Sequence, residues 1–248
     1  MAEFSLNLVG QRVRVSTLHN STVRYCENFI MDETSDVDIS VVMTQADIDN
    51  ESVRCNRERA VEGLPPHRFT DADLEITAVQ RKITEELFQY DTLLFHGSVV
   101  AVDGQAYLFT AKSGTGKSTH TRLWRELFGD RAVMVNDDKP FLKITDSGVI
   151  AYGSPWNGKH RLGSDIAVPL KAICVLERGE QNHIQAVPPR YVLSMLIQQS
   201  SRPMNGMWMP KYMELIDGLS RHVGFYRMHC NMGLEAARIA FETMSKID

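Results

Sequence analysis

The segment that most constrains the fold of this chain is a short apolar strand followed by a loop rich in glycine. The apolar run covers 106–110, and the loop that follows reads Ala111-Lys112-Ser113-Gly114-Thr115-Gly116-Lys117-Ser118-Thr119. Residues 117–128 then carry apolar side chains at helical spacing. Strand, loop and helix in this order are typical of a P-loop, in which backbone amides at a helix N-terminus surround phosphate oxygens.

Each position of this loop predicts a contact with a nucleoside triphosphate. The expected phosphate-binding residues are Ser113, Gly114, Thr115, Gly116, Lys117, Ser118 and Thr119. Lys117 would reach the β and γ phosphates and so act in catalysis as well, and the Ser118 hydroxyl would bind Mg²⁺. Ala111 stands where this pattern usually has glycine. A glycine-rich turn that caps an ordinary helix is the alternative interpretation.

Two adjacent aspartates follow the next apolar run. Residues 132–135 lead into Asn136-Asp137-Asp138. One carboxylate at a strand end can support Mg²⁺, and a second beside it can accept the proton of a hydroxyl group. Neighbouring strand residues point to opposite sides of a sheet, so the sequence leaves open which aspartate faces the phosphate. A polar strand end followed by a turn is the alternative.

Two turn signals indicate a mixed sheet. Asp103-Gly104 is predicted to join strands 98–102 and 106–110, and residues 146–148 to join strands 141–144 and 149–152. The strand before the loop should therefore pair antiparallel with its neighbour, whereas a parallel strand precedes most P-loops. The predicted fold class is α/β with α+β character, built on a mixed, partly antiparallel sheet.

Taken together, these motifs resemble the HPr kinase and phosphoenolpyruvate carboxykinase superfamily. The resemblance rests on Phe95-His96-Gly97, the hairpin at Asp103-Gly104, the loop at 113–119 and Asn136-Asp137-Asp138. It covers residues 93–178 and is nearer to the small HPr-kinase-like (serine-kinase-like) proteins than to the longer carboxykinases. It implies a P-loop kinase core that uses ATP, or another nucleoside triphosphate, with Mg²⁺.

The same resemblance implies roles for individual residues. Asp137 would accept the proton, Asp138 would belong to the metal site with Ser118, and His96 would lie near the transferred phosphate. A histidine before a glycine at a strand end is more often structural. The basic signature that HPr kinases use for phosphorolysis is not recognisable here, which argues against reverse phosphorylase activity and against HPr as the substrate.

Two further segments are candidates for the site. The loop 153–161 carries Lys159 and Arg161, which are expected to neutralise the transferred phosphoryl group and to contact the nucleotide, respectively. Solvated cations on a surface loop are the alternative. The methionine-rich segment 202–210 would suit an adaptable lid over the acceptor, or a loop that packs on the core.

The domain prediction follows from the break at Gly63-Leu64-Pro65-Pro66. Residues 1–69 are expected to form a β-rich N-terminal extension, and residues 70–248 the kinase core. In the extension, Gly10-Gln11 should turn the chain between two strands, and 45–51 should be a solvated loop or a short helix. A helix should begin at Thr70 or Asp71 and run to about Tyr90.

Composition limits the classes of partner. The formal net charge is −4 and hydrophobic residues make up 43% of the chain, which indicates neither a nucleic-acid partner nor a membrane partner. The cysteines, Cys26, Cys55, Cys174 and Cys230, lack metal-ligand spacing. Reduced thiols in a cytoplasmic protein are therefore expected. Oligomeric state is not predicted.

The leading hypothesis is a kinase that phosphorylates a hydroxyl of a small molecule or peptide, with ATP as the expected donor. A nucleotide-binding regulator without phosphotransfer is the first alternative. A carboxykinase-like enzyme, which would consume nucleotide in the presence of oxaloacetate, is the second. No motif identifies the acceptor or the base of the donor.

Lys117→Ala should weaken triphosphate binding by about 10- to 100-fold, because it removes a charge-assisted contact to the phosphates. Lys112→Ala is the matched control, since it removes the same charge from the start of the loop. Isothermal titration with Mg²⁺ and ATP would measure both. Equal nucleotide affinity together with equal turnover in wild type and Lys117→Ala would refute the P-loop assignment.

Overall fold

The computed structural model describes residues 2–32, 36–61, 63–112 and 114–246. The chain divides into two compact units, Met1–Glu86 and Leu87–Asp248. Among the described residues, no helix combines the length and apolarity needed to cross a membrane. No disulfide joins the four cysteines, all of which lie in the described part of the chain.

The first unit is a four-stranded sheet with helices. Its strands are β1 (Ala2–Leu8), β2 (Gln11–Thr17), β3 (Ile30–Met31) and β4 (Ile39–Val42), and its helices are α1 (Asn20–Tyr25), α2 (Gln45–Val61) and α3 (Asp71–Leu87). The strand order is β3-β1-β2-β4, with β1 antiparallel to β2 and β3, and β2 parallel to β4. The turn after β1 uses Val9 and Gly10, both at positive φ, one residue earlier than predicted.

Helix α2 corrects the expectation of a solvated loop or short helix at 45–51. Thr44 begins it: its backbone N–H and its hydroxyl both donate to the Asp47 carboxylate, and the Asp47 N–H donates to Thr44 Oγ1. The helix is polar, and its buried residues are Ile48 and Glu51. The apolar periodicity that usually reveals a helix is therefore weak here.

Helix α3 explains why the units divide after residue 86 rather than near residue 69, where we predict the boundary. Its Glu75 is fully buried and accepts hydrogen bonds from the Leu18 N–H, the His19 N–H and the Thr22 hydroxyl. A second link is Arg81, which bridges Glu51 and Glu58 of α2. The side chains of α3 therefore bind it to the first unit, although it follows the Gly-Pro break.

The second unit contains the remaining strands and helices. The strands are β5 (Thr92–Leu94), β6 (Ser98–Val102), β7 (Gln105–Thr110), β8 (Ala132–Asn136), β9 (Phe141–Thr145), β10 (Gly148–Tyr152), β11 (Ala167–Arg178), β12 (His183–Ala186) and β13 (Gly224–Cys230). The helices are α4 (Lys117–Phe128), α5 (Leu193–Gln199), α6 (Met209–His222) and α7 (Leu234–Met244). The short strand β12, which we did not predict, pairs with β13.

The large sheet is mixed, as predicted. Its order is β5-β9-β10-β11-β7-β6-β8, and β13 pairs with β11. Both predicted hairpins are confirmed, because β6 pairs antiparallel with β7, and β9 pairs antiparallel with β10. The pairs β7–β11 and β11–β13 are parallel. The predicted fold class, α/β on a mixed and partly antiparallel sheet, is confirmed.

Both faces of this sheet are buried. Along β7, Leu108 belongs to a core cluster that includes Leu196 of α5 and Tyr212 of α6. The next residue, Phe109, belongs to a second cluster with Trp124 of α4 and residues of α7. Alternate side chains of one strand thus enter two cores, and the strand is held in place from both sides.

Gly104→Ala should lower the free energy of unfolding by about 1–2 kcal/mol, because alanine disfavours the left-handed backbone of this turn. Gly104 has φ +77° and Asp103 has φ +51°. Gly206→Ala is the control, since a Cβ there meets open space and φ is ordinary. Urea unfolding would compare the variants. An equal effect of the two substitutions would contradict the role of the turn.

Candidate functional site

Three strand ends meet at one edge of the large sheet. Strand β6 is antiparallel to both β7 and β8, so Ser98 at its start lies opposite Phe109, and Val99 lies opposite Asn136. The Thr110 hydroxyl donates a hydrogen bond to the His96 carbonyl, at 3.1 Å. The pairing therefore brings together three segments that the sequence predicts as site elements: the residues before β6, the loop after β7 and the aspartates after β8.

The loop after β7 leads directly into α4. Gly114 and Gly116 adopt positive φ, +73° and +116°, and the His120 N–H donates to the Gly116 carbonyl at 2.9 Å. Of the predicted phosphate-binding residues, Ser113 lies outside the described residues, whereas Ser118 is exposed at the helix start and Thr119 is half-buried. The N–H groups of the first turn of α4 have no partners within the helix, as a phosphate site requires.

Lys117 lies in the electric field of both aspartates. Its ammonium is 3.5 Å from the Ala111 carbonyl oxygen. Burial lowers the pKa of Lys117, and the negative charges of Asp138 and Asp137 partly offset that effect. The structure therefore places the loop cation and the paired carboxylates close enough to interact.

Asp137 is fixed between β6 and α4. It is 6% exposed, and its Oδ1 accepts a hydrogen bond from the Ser98 hydroxyl at 2.6 Å. The Ser98 oxygen is also 2.9 Å from the Thr121 hydroxyl of α4. We did not predict Ser98 or Thr121 as site residues. Two sequence features could have indicated them: Ser98 is a hydroxyl residue at the start of an apolar strand, and Thr121 is a hydroxyl residue one helical turn after Lys117.

Asp138, by contrast, is half-buried and paired with His96. The distance from His96 Nε2 to Asp138 Oδ1 is 3.3 Å. The hydrogen bond to Asp138 raises the pKa of His96, but burial and the charges of Lys139 and Lys117 outweigh it, so the pKa lies below the ordinary value. Burial raises the pKa of Asp138, but the hydrogen bond from His96 and the charges of His96, Lys139 and Lys117 have a larger opposite effect. The pKa of Asp138 therefore lies below its ordinary value. These shifts favour a neutral imidazole that donates to an ionised carboxylate.

Asn136 holds the turn that carries both aspartates. Its Oδ1 accepts from the N–H groups of Asp138 and Lys139, at 2.8 and 2.7 Å. Its Nδ2 donates to the carbonyl and the hydroxyl of Ser154, at 3.1 and 3.0 Å. We assigned no role to Asn136 from the sequence. Its amide fixes the turn and attaches it to the loop that begins at residue 153.

This loop, residues 153–161, reaches the aspartates. Gly158 has φ +77°, and a Cβ at this position would lie 3.1 Å from the Cβ of Asp138. Lys159 follows and is exposed. Arg161 donates from Nη1 to the Pro155 carbonyl, at 2.8 Å, within its own loop. The structure thus brings the loop to the site, while the roles of Lys159 and Arg161 stay predictions.

The methionine-rich segment packs one residue on the core and exposes others to solvent. Trp208 packs against the core, where its ring lies 6.3 Å from that of Phe88. Met204, Met207 and Met209 are exposed, Met207 to 84%. The segment follows Ser201, whose N–H donates to the Leu94 carbonyl. The core anchor is therefore present, and a lid function stays a prediction.

Arg178, which we did not predict, contacts the loop from the end of β11. Its Nη2 donates to the Gly114 carbonyl at 2.6 Å. The parallel pairing of β11 with β7 places the ends of both strands at the same edge of the sheet. An exposed arginine at the end of a buried strand gave no distinct sequence signal.

The residues present are compatible with Mg²⁺ bound mainly by a substrate. Among the described residues, no group of three or more His, Cys, Asp or Glu is arranged to hold a metal by itself. Phosphate-bound Mg²⁺ needs only one or two protein oxygens, with waters and phosphates completing the octahedron. The exposed Ser118 hydroxyl and one of the two aspartates would supply these protein oxygens.

Comparison with known proteins identifies the family. The family model described as "SynChlorMet cassette protein ScmC" matches residues 67–233. The chain belongs to the ScmC family. The matched region contains every site residue described above. No curated protein matches the chain.

A solved structure, the HPr(Ser) kinase/phosphatase from Coxiella burnetii, matches with a TM-score of 0.36 and 10% identity. The match covers 61% of this chain and 98% of that chain. At this level the similarity supports no inference about individual residues. Membership of ScmC in the HPr kinase superfamily therefore stays a prediction from the motifs.

Ser98→Ala should destabilise the second unit by about 1.5–3 kcal/mol, the usual effect of losing a hydrogen bond to a charged group. The buried Asp137 carboxylate would lose a hydroxyl donor. Ser147→Ala, in an exposed turn, is the control and should change stability by less than about 0.5 kcal/mol. Thermal or urea unfolding checks both, and equal stability of Ser98→Ala and wild type would contradict this account.

Proposed function

We propose that this protein is an Mg²⁺-dependent kinase that transfers the terminal phosphate of a nucleoside triphosphate, with ATP as the expected donor, to a hydroxyl group. The observation that carries the proposal is the position of the accessible carboxylate of Asp138. This carboxylate is paired with His96, whose lowered pKa favours the neutral ring, and it is close enough to Lys117 for the two charges to interact. Phosphoryl transfer needs this combination of a cation for the phosphate and a base for the acceptor.

The loop and the start of α4 supply the binding part of the site. The backbone amides at the start of α4, from Gly116 to Thr119, would donate to phosphate oxygens, and Lys117 would balance charge on the β and γ phosphates. The Thr115 N–H already donates to the Lys112 carbonyl, at 3.2 Å. Bound Mg²⁺ would neutralise the charge that develops between these phosphates. Ser118 would orient its hydroxyl toward the metal.

We assign the base to Asp138 and the metal-supporting role to Asp137, the reverse of what the resemblance implies. Accessibility is the reason: Asp137 is 6% exposed and bonded to Ser98, whereas the side chain of Asp138 is 36% exposed. A base must lie within hydrogen-bond reach of the acceptor hydroxyl. A buried carboxylate that is held by a hydrogen bond is better suited to hold the metal and its ligands in place than to accept a proton.

The acceptor hydroxyl gives its proton to the Asp138 carboxylate, and its oxygen forms a bond to the γ phosphorus. The bond between that phosphorus and the β–γ bridging oxygen breaks, and the nucleoside diphosphate leaves with the electron pair. His96 holds Asp138 ionised and oriented through its Nε2–H, and Lys117 stabilises the charge that develops on the phosphates.

The acceptor would approach from the exposed side of Asp138. Gly158 lies against this residue without a side chain, and Lys159 follows it at the surface. We propose a small-molecule or peptide hydroxyl as the acceptor class. Lys159 would neutralise the transferred group, and Arg161 would contact the nucleotide after movement of the loop.

Asp138→Asn should leave nucleotide and Mg²⁺ binding nearly unchanged but lower single-turnover transfer by about 10²–10⁴-fold, the usual contribution of a general base. Asp137→Asn should weaken Mg²⁺ affinity as well as slow transfer. Metal-titrated nucleotide binding and quenched single-turnover assays measure both effects. A library of hydroxyl metabolites and peptides, analysed by mass spectrometry, supplies the acceptor.

The two variants also separate a kinase from a regulator. Full transfer by Asp138→Asn, with loss in Asp137→Asn at normal metal affinity, would restore the assignment that the resemblance implies. Tight nucleotide binding by wild type without transfer to any acceptor would favour a nucleotide-dependent regulator, which needs no base beside its phosphate loop.

A further inference from the structure

Two buried hydroxyl groups connect α4 to the aspartates after β8. Ser98 is fully buried, Thr121 of α4 is 1% exposed and Asp137 is 6% exposed. Ser98 Oγ lies 2.6 Å from Asp137 Oδ1 and 2.9 Å from Thr121 Oγ1. Thr121 and Ser98, which we call the hydroxyl bridge, therefore join the helix after the glycine-rich loop to one of the paired carboxylates.

The direction of both hydrogen bonds follows from the number of hydrogens. Each hydroxyl carries one hydrogen that it can donate. Ser98 donates its hydrogen to the Asp137 carboxylate, so it has none left for Thr121. The hydrogen between the two hydroxyls must therefore come from Thr121. The order of donation is Thr121 to Ser98, and then Ser98 to Asp137.

Thr121 has two other oxygens within reach, and both are farther away. The carbonyl oxygens of Lys117 and Ser118 lie 3.4 and 3.3 Å from Thr121 Oγ1. A threonine inside a helix commonly donates to the carbonyl one turn before it, as Thr243 does in α7 at 2.8 Å. The shortest hydroxyl contact of Thr121 is instead the one to Ser98. Thr121 thus connects its helix to strand β6.

We propose that Ser98 and Thr121 are positioning residues, which hold the Asp137 carboxylate in the orientation that supports Mg²⁺ on the bound nucleotide. The inference rests on the proposed function, in which Ser118 and Asp137 serve the metal. Thr121 lies three residues after Ser118 in α4, and residues at this spacing are neighbours on one face of a helix. The hydroxyl bridge therefore ties both oxygen donors of the metal to the same helical turn.

The physical reason is the freedom that a carboxylate otherwise has. The terminal torsion of an aspartate is only loosely restrained by its own covalent structure. The bond from Ser98 fixes Oδ1 and leaves Oδ2 for the metal or for one of its waters. Thr121 in turn occupies the oxygen of Ser98, so that the serine hydrogen points at the carboxylate. Partners of this kind, which touch a ligand and not the metal, typically change metal affinity by about 10- to 100-fold.

Substitutions of Thr121 separate its hydroxyl from its shape. Thr121→Val keeps the branched side chain and removes the hydroxyl, whereas Thr121→Ser keeps the hydroxyl. Ser98→Ala is the second variant, because it breaks the hydroxyl bridge at its other residue. Thr243→Val is the matched control, since it removes a threonine hydroxyl that bonds a carbonyl of its own helix, α7.

The experiment is calorimetric titration of each protein with ATP, once with Mg²⁺ and once with EDTA. The ratio of the two affinities measures what the metal contributes. We expect Thr121→Val to lower this ratio by about 3- to 10-fold, the effect of one hydrogen bond, and to leave the affinity in EDTA unchanged. Ser98→Ala should lower the ratio by about tenfold or more. Thr121→Ser and Thr243→Val should keep the wild-type ratio.

Double variants test the order of the bonds. In an Asp137→Asn background, Thr121→Val should cause no further fall in the ratio, because it acts through that carboxylate. In urea unfolding without metal or nucleotide, the destabilising effects of Ser98→Ala and Thr121→Val should sum to more than that of the double variant, since each breaks the same hydroxyl bridge.

The inference is overturned if Thr121→Val and Ser98→Ala both keep the wild-type ratio, or if Thr121→Ser lowers it as much as Thr121→Val does. It is also overturned if Thr121→Val weakens ATP equally with and without Mg²⁺, or adds a further loss to Asp137→Asn. In each of these cases ATP binding by wild type, and with it the proposed function, survives. Failure of wild type to bind ATP in either condition would refute both proposals.

Discussion

The pairing of β6 with two antiparallel neighbours is the constraint on which the candidate site depends. Because β6 runs against both β7 and β8, its beginning lies beside their ends. His96 and Ser98 thereby meet the glycine-rich loop after β7 and the two aspartates at one edge of the sheet. A parallel strand in the position of β6 would place its start at the opposite edge. The site is thus a direct product of the strand directions, which the Asp103-Gly104 turn sets.

Two adjacent carboxylates, Asp137 and Asp138, lie near Lys117 at this edge, and each of them is held by a different hydrogen-bond donor. Ser98 donates to Asp137 and His96 to Asp138, and the Asn136 side-chain oxygen accepts from the N–H groups of Asp138 and Lys139. Each aspartate therefore has its own donor and its own exposure. The two identical side chains therefore differ in exposure and in hydrogen-bond partner, although they do not differ in residue type.

Features that depend on neighbouring residues were predictable from the sequence. The loop before α4, both hairpins and the mixed sheet follow from short patterns of glycine, aspartate and apolar residues. The bonds of Ser98 to Asp137 and of Arg178 to Gly114 join residues far apart in the chain, and no local pattern encodes them. The compact units divide after residue 86 for the same kind of reason, since Glu75 of α3 bonds to residues near the start of α1. The full length of helix α2 is not predictable from apolar periodicity, because Thr44 and Arg81 stabilise the helix and it has no apolar stripe.

The hydrogen bond from Arg178 to the Gly114 carbonyl can form only when β11 has paired with β7, so the final conformation of the loop depends on a late step of folding. Hairpin β6–β7 and helix α4 involve short loops, whose closure costs little entropy. Strand β11 can pair with β7 only after the intervening strands β8, β9 and β10 have been synthesised, and non-local parallel pairing of this kind is slow. A nascent chain therefore possesses the glycine loop well before it possesses the arginine that restrains it. The restraint that Arg178 places on the glycine-rich loop is consequently a property of the finished sheet and not of the early hairpin.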